Sequence, residues 1–162
     1  MQSTSSSDSP VAFVFSFKKS KKIAEGKERL IVQGLEETPM KVMVVDDSKS
    51  IRQIEKKYLT GMGYEVVEAS NGEEALKVLE ENPDIALILL DWHMPVMNGY
   101  EFLKTVRQDP KWNNVKIMMV TTENQEKSVI DAIMAGANEY LMKPFDQEML
   151  ESKIRWLLEE AL

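Results

Sequence analysis

The chain has 162 residues, no cysteine and a formal net charge of -7, which excludes disulfides and thiolate metal sites and is compatible with a reducing compartment. Residues 1–39 carry six Lys and Arg against five Asp and Glu, whereas residues 40–162 carry 14 against 22. So acidic a body repels nucleic acid and anionic lipid, and no apolar run approaches the ~20 residues of a bilayer span.

In chain order, a Ser-rich run (Ser3 to Ser9) precedes an apolar patch, Val11 to Phe17, and a basic cluster, Lys18 to Lys22. A secretory signal needs its positive charge before the apolar stretch, not after it. Ile23 to Thr38 shows neither helical nor strand periodicity. Residues 1–39 are therefore expected to be a disordered extension. A mis-assigned start is the other reading, since Met40 directly precedes the first regular element. The intact mass of the native protein separates the two.

From Lys41 the pattern turns regular. Val42 to Val45 is a short apolar run that reads as a buried strand, ending in Asp46 and Asp47. Ser48 is placed to cap a helix running to about Thr60, with Ile51, Ile54, Tyr58 and Leu59 on its apolar side. Gly61 to Gly63 stops it, and Tyr64 to Glu68 reads as a second strand. Asn71-Gly72 opens a helix bearing Ala75, Leu76, Val78 and Leu79, which ends at Asn82-Pro83. Ile85 to Leu90, the most apolar run, predicts a central strand covered on both faces. A helix carrying Phe102, Leu103 and Val106 follows Asn98-Gly99. Val115 to Val120 is a fourth strand, Gln125 to Met134 a helix closed by Gly136, Glu139 to Met142 a fifth strand stopped by Pro144, and Gln147 to Leu158 a last helix.

Strands and helices thus alternate five times over short connections. That predicts an α/β fold: a parallel sheet with helices on both faces and right-handed crossovers. Ligands of such sheets bind beyond the carboxyl ends of the strands. Asp46 and Asp47 follow the first strand, Asp91 the third, Thr121 and Thr122 the fourth, and Lys143 the fifth. Asp46-Asp47 alone would serve equally as a solvated turn. With Asp91 the cluster becomes three mutually repelling carboxylates, a cost that a hard divalent cation such as Mg²⁺ removes. Beside such an ion one carboxylate can act as the nucleophile towards a phosphoryl group, with a lysine and a hydroxyl supplying charge and hydrogen bonds.

At these residues the chain resembles the receiver domains of response regulators. The matching motifs are Val44-Val-Asp-Asp-Ser48, Leu89-Leu-Asp-Trp-His-Met-Pro95 with Asn98-Gly99, Val120-Thr-Thr-Glu123 and Tyr140-Leu-Met-Lys-Pro-Phe145. The resemblance covers about residues 40–162, and the nearest type is the single-domain, CheY-like chemotaxis regulator. The resemblance implies a flavodoxin-like doubly wound sheet of five parallel strands in the order 2-1-3-4-5. It also implies a cytoplasmic, monomeric signalling switch and not a conventional enzyme: one that catalyses its own phosphorylation and dephosphorylation, with a histidine kinase as phospho-donor. Asp91 would be the phospho-acceptor. Asp46, Asp47, Asp91 and the backbone carbonyl of His93 would hold Mg²⁺. Lys143 and Thr121 would contact the phosphoryl group. Thr121 and Tyr140 would switch together, altering a face made by helix four, strand five and helix five, where a downstream protein binds. No DNA-binding helix pair follows the last helix, so output is expected through protein contact. Motor control and a phosphorelay carrier both remain open.

Two positions depart from the familiar pattern. His93 stands where Asn is usual and Thr122 where Ala is common, both beside the path of the attacking water, so the phosphate's lifetime is open. The His93 side chain is expected to stand exposed above the site, Trp92 to be a surface marker, and Pro144 to set a rigid turn, cis or trans. A phosphatase-like hydrolase would need an acid/base Asp where His93 stands. A flavin binder would need a Gly- and Ser/Thr-rich loop after the first strand, which is absent.

Overall fold

The computed structural model describes residues 38–160, and from Pro39 onward they form one compact unit. The expectations placed on residues 1–37, including the tail and the basic cluster, lie outside the described residues.

The five expected strands form: β1 (Lys41–Val45), β2 (Glu65–Ala69), β3 (Ile85–Leu90), β4 (Lys116–Thr121) and β5 (Glu139–Met142). They pair in parallel as β2-β1-β3-β4-β5. Five helices connect and follow them: α1 (Lys49–Gly61), α2 (Gly72–Glu81), α3 (Gly99–Arg107), α4 (Glu126–Met134) and α5 (Gln147–Arg155). Alternate residues of each central strand point to opposite faces. Met43, Ile88 and Met119 therefore pack in one apolar layer with residues of α2, α3 and α4. Val44, Leu89 and Val120 pack in the other with residues of α1 and α5. Each side chain fully covered in this way contributes about 1.5–3 kcal/mol.

Local chemistry sets the helix starts. Ser48, Asn71, Asn98 and Asp146 each accept a hydrogen bond from a first-turn backbone N–H, satisfying donors that have no partner within the helix. Asn98 does so reciprocally with Glu101, a capping box at the entry to α3.

Four details differ from expectation. Ile54 is 43% exposed, whereas Glu55 is buried. Glu55 lies four residues from both Ile51 and Leu59, in the middle of the face that α1 turns to the sheet. Thr121 is the last residue of β4 and not the first after it, because β5 extends the ladder to it. The last α-helix ends at Arg155 and gives way to a π-helical turn, Trp156–Glu160. Trp92 is half-buried, stacked on Tyr100 with 5.1 Å between centroids and 6° between planes.

Candidate functional site

Register brings the candidate residues to one level. Val45 is paired with both Ala69 and Leu90, so β1 and β3 end side by side and their next residues, Asp46 and Asp91, leave the sheet together. The ladder runs on through those residues: Asp91 N–H donates to Val45 O at 3.0 Å and Asp46 N–H to Ala69 O at 3.1 Å. Thr121 is paired with Met142, and Lys143 N–H donates to Thr121 O at 3.0 Å. The loop after β5 is thereby fixed against the end of β4, and the Lys143–Pro144 bond is cis.

One carboxylate oxygen from each of Asp46, Asp47 and Asp91 lies within 4.8 Å of the others. Asp46 and Asp91 are buried and Asp47 is exposed. The Lys143 ammonium stands between the two buried acids, 2.6 Å from Asp46 Oδ2 and 3.5 Å from Asp91 Oδ2. Asp46 Oδ1 accepts from Ser48 N–H at 2.9 Å, and Asp91 Oδ1 from Trp92 N–H at 2.8 Å. Each buried carboxylate is thus held by the backbone through one oxygen and faces the lysine with the other.

Burial raises the Asp46 carboxyl above its usual range, and the Asp91 charge adds to that, while Lys143 and the Ser48 N–H pull the other way. For Lys143 burial alone would lower the ammonium, but the hydrogen bond to Asp46 and the charges of Asp91, Asp46 and Glu55 outweigh it and hold it above its ordinary value. The two partners' shifts point in opposite senses for their pairing. The 2.6 Å separation is that of a charge-assisted hydrogen bond, and the rise at Asp46 traces first to burial, which outweighs the pull of Lys143.

Thr121 is fully buried, and its Oγ1 accepts from Glu123 N–H at 3.2 Å. The half-buried Tyr140 donates from its hydroxyl to the carbonyl of the same residue at 2.8 Å; burial, then the Glu123 and Asp91 charges, pushes its phenol up to about 12. The two residues expected to switch are therefore joined through the backbone of Glu123. The His93 ring, 61% exposed as expected, reaches across to Glu123 Oε1 at 2.9 Å. One residue thus links the loops after β3 and β4 to β5. Thr122 is exposed.

Three contributors were given no role in the sequence reading, Gly99 entering it only as part of a motif. Arg52 donates to the Asp46 carbonyl at 2.6 Å and to Glu68 Oε1 at 2.9 Å, clamping the main chain of a site acid. Gly99 packs against the backbone of Asp91 so closely that an added Cβ would meet its carbonyl oxygen. Glu55 is buried on the sheet-facing side of α1, its Oε1 without a hydrogen-bond partner. Arg52 and Glu55 were legible only as ordinary charged residues of an amphipathic helix.

The donor set consists of oxygens, two of them on carboxylates fixed by backbone N–H groups. It fits a hard divalent cation such as Mg²⁺, which takes few protein carboxylates.

Residues 42–155 match the family model described as the response regulator receiver domain. A chemotaxis protein CheY homolog of Campylobacter jejuni is 44% identical over 120 residues, 74% of this chain and 92% of that protein. The chemotaxis response regulator CheY4 of Vibrio cholerae is similar in structure at a TM-score of 0.70 and 39% identity, covering 75% of this chain and 100% of that one. A chain of the CheX-CheY-BeF3-Mg+2 complex from Borrelia burgdorferi is similar at a TM-score of 0.66 and 28% identity, over 74% of this chain and 89% of that one.

Proposed function

The chain belongs to the response regulator receiver family and is a CheY-like chemotaxis regulator, and from that premise we propose that Asp91 accepts a phosphoryl group from a histidine kinase. The observation that carries the reading is the buried pair Asp46 and Asp91 bridged by Lys143, with Asp47 beside them.

An oxygen of the Asp91 carboxylate attacks the phosphorus of a phosphohistidine. The new O–P bond forms as the P–N bond breaks, and the imidazole departs as the neutral ring, keeping the proton already on its other nitrogen. Trp92 N–H holds Oδ1 and so orients the carboxylate. Asp46, Asp47, Asp91 and the His93 carbonyl would hold Mg²⁺, which supplies positive charge against the phosphoryl oxygens. Lys143 provides an ammonium within reach of the acceptor, and Thr121 a buried hydroxyl at the neighbouring strand end. Thr121 can donate its hydroxyl hydrogen to the phosphoryl group, and movement of the side chain toward that group would loosen the hydrogen bond it accepts from Glu123 and through Glu123 would reach Tyr140. That is a two-state bias of the kind a charged modification imposes.

The altered surface is the face of α4, β5 and α5. α4 exposes Ile130, Ile133 and Met134, and α5 exposes Met149, an apolar set suited to a protein partner. Among the described residues no helix is long and apolar enough to cross a membrane, and we place the protein in the cytoplasm with its kinase. Residues 40–162 form the working receiver. A hydrolase acting on small phosphate esters is disfavoured, since its acid/base position is held by His93, which is tied to Glu123.

Incubation with acetyl phosphate and Mg²⁺ tests the reading. The native chain should gain one acid-stable, base-labile acyl phosphate by intact mass, and Asp91→Asn should gain none. Equal labelling of the variant would move the acceptor elsewhere and refute the assignment.

A further inference from the structure

Among the described residues, one buried carboxyl has no part in the phosphoryl chemistry. Glu55 sits on the sheet-facing side of α1, between Ile51 and Leu59, in a stripe otherwise apolar. It is 2% exposed, and its Oε1 has no hydrogen-bond partner. A carboxylate in that position would be strongly penalised. Its charged neighbours come from four elements: Asp46 after β1, Asp91 after β3, Lys143 after β5 and Arg52 on α1 itself. Tyr58 and Tyr64 flank the same apolar layer. Burial first, then the Asp46 charge, raises the Glu55 carboxyl to about 8, so at neutral pH it is mostly the uncharged acid.

Lys143 connects this group to the site. Its ammonium rests on Asp46 Oδ2 and near Asp91 Oδ2, two of the three carboxylates that converge as a cation site. A divalent ion and an ammonium cannot both sit on the same oxygens without strong repulsion. Besides Asp46 and Asp91, Glu55 is the acid whose charge acts on Lys143.

We propose that Glu55 is the reserve counter-charge of Lys143: an uncharged acid while the lysine rests on Asp46 and Asp91, and a carboxylate, its proton released to solvent, once those two acids are given over to a divalent cation. Only the O–H bond of Glu55 breaks, and the proton goes to buffer. Glu55 is thus a positioning residue, acting through Lys143. The proposal rests on the cation site described above. It makes cation affinity depend on pH near neutrality.

Calorimetric titration of the full chain with MgCl₂, in buffers of different ionisation enthalpy at pH 7.5, counts protons released per ion bound. The native chain should release a measurable fraction of one proton, and its affinity should rise from pH 6.5 to 8.5 by at most about tenfold per pH unit. Glu55→Gln, which preserves shape and neutrality, should lose that fraction and flatten the profile. His93 is present in both chains, so the difference belongs to Glu55. Glu55→Leu, which completes the apolar stripe, should fold more stably and show the same loss, separating the role from mere support. An unchanged proton count and profile in both variants overturns this proposal and leaves the cation site standing. No Mg²⁺ binding by the native chain at any pH overturns both.

Discussion

Replacing Glu55 by Gln should change stability by an amount that depends on pH in a calculable way. The ordinary glutamate value is 4.5, and in the fold the group titrates near 8. Between those values the folded chain keeps a proton that the unfolded chain has lost, so the group's contribution to stability falls as pH rises through the window. It is fully favourable below 4.5 and reaches its full penalty above 8. At about 1.4 kcal/mol per pH unit, the span from pH 5 to pH 8 amounts to about 3 to 4 kcal/mol. The neutral amide has no such dependence. Urea unfolding of the native chain and of Glu55→Gln, with chelator present, should therefore show a free-energy difference that widens by that amount across the span. Every other titrating group is common to both chains and cancels. A difference constant across pH 5 to 8 would mean that Glu55 is not held as a buried acid, and would remove the ground for its pairing with Lys143.

Three further outcomes follow from the packing, two at the site and one at the opposite ends of β4 and β5. Gly99→Ala would place a Cβ against the Asp91 carbonyl and 2.9 Å from its carbon; the shift needed should cost about 1–3 kcal/mol in urea unfolding and slow labelling of Asp91 by acetyl phosphate. Arg107 donates to the carbonyls of Gly136, Trp112 and Val115 and to Asn138 Oδ1, at 2.8–3.0 Å. Arg107→Lys cannot reproduce that planar fork and should lower the midpoint of thermal unfolding, the loss being about 1–3 kcal/mol for each acceptor left buried and unpaired. Lys143→Ala should leave Asp91 able to be labelled while weakening the difference in partner binding between labelled and unlabelled chain, read by pull-down from extract on the two forms. An unchanged difference would remove Lys143 from the signalling step.

Much of this architecture is written in the sequence. The apolar runs 42–45 and 85–90 are short and bounded by acids, and Asn71, Asn98 and Pro144 punctuate the chain where helices begin or strands stop. Periodicity and turn chemistry suffice for such elements, and the observed strands lie within a residue of their expected bounds. α1 shows where that logic runs short. Its Ile54 was assigned inward by its chemistry, yet Glu55, four residues from Ile51 and from Leu59, faces the sheet. Spacing alone pointed to Glu55, and residue type overrode it, because a glutamate on a helix is ordinarily solvated. Arg52 and Arg107 were missed for the same reason: their acceptors are backbone carbonyls, which leave no trace in the residue types of a sequence.

The site itself needs more than the residues at strand ends, because three acids can repel as readily as cooperate. What makes them a site is level and counter-charge. Level comes from register: Val45 beside Leu90 and Thr121 beside Met142 bring residues separated by tens of positions to one sheet edge. Counter-charge comes from Lys143, which neutralises two buried acids at once while the third stays in water. Whatever binds those acids must displace that ammonium or share with it, so affinity for a cation and the position of the lysine are one variable seen from two sides. A phosphoryl group on Asp91 would bring the acceptor oxygens that a displaced ammonium requires. Glu55 acts on the same lysine through its charge, and its protonation state sets how readily the lysine gives way.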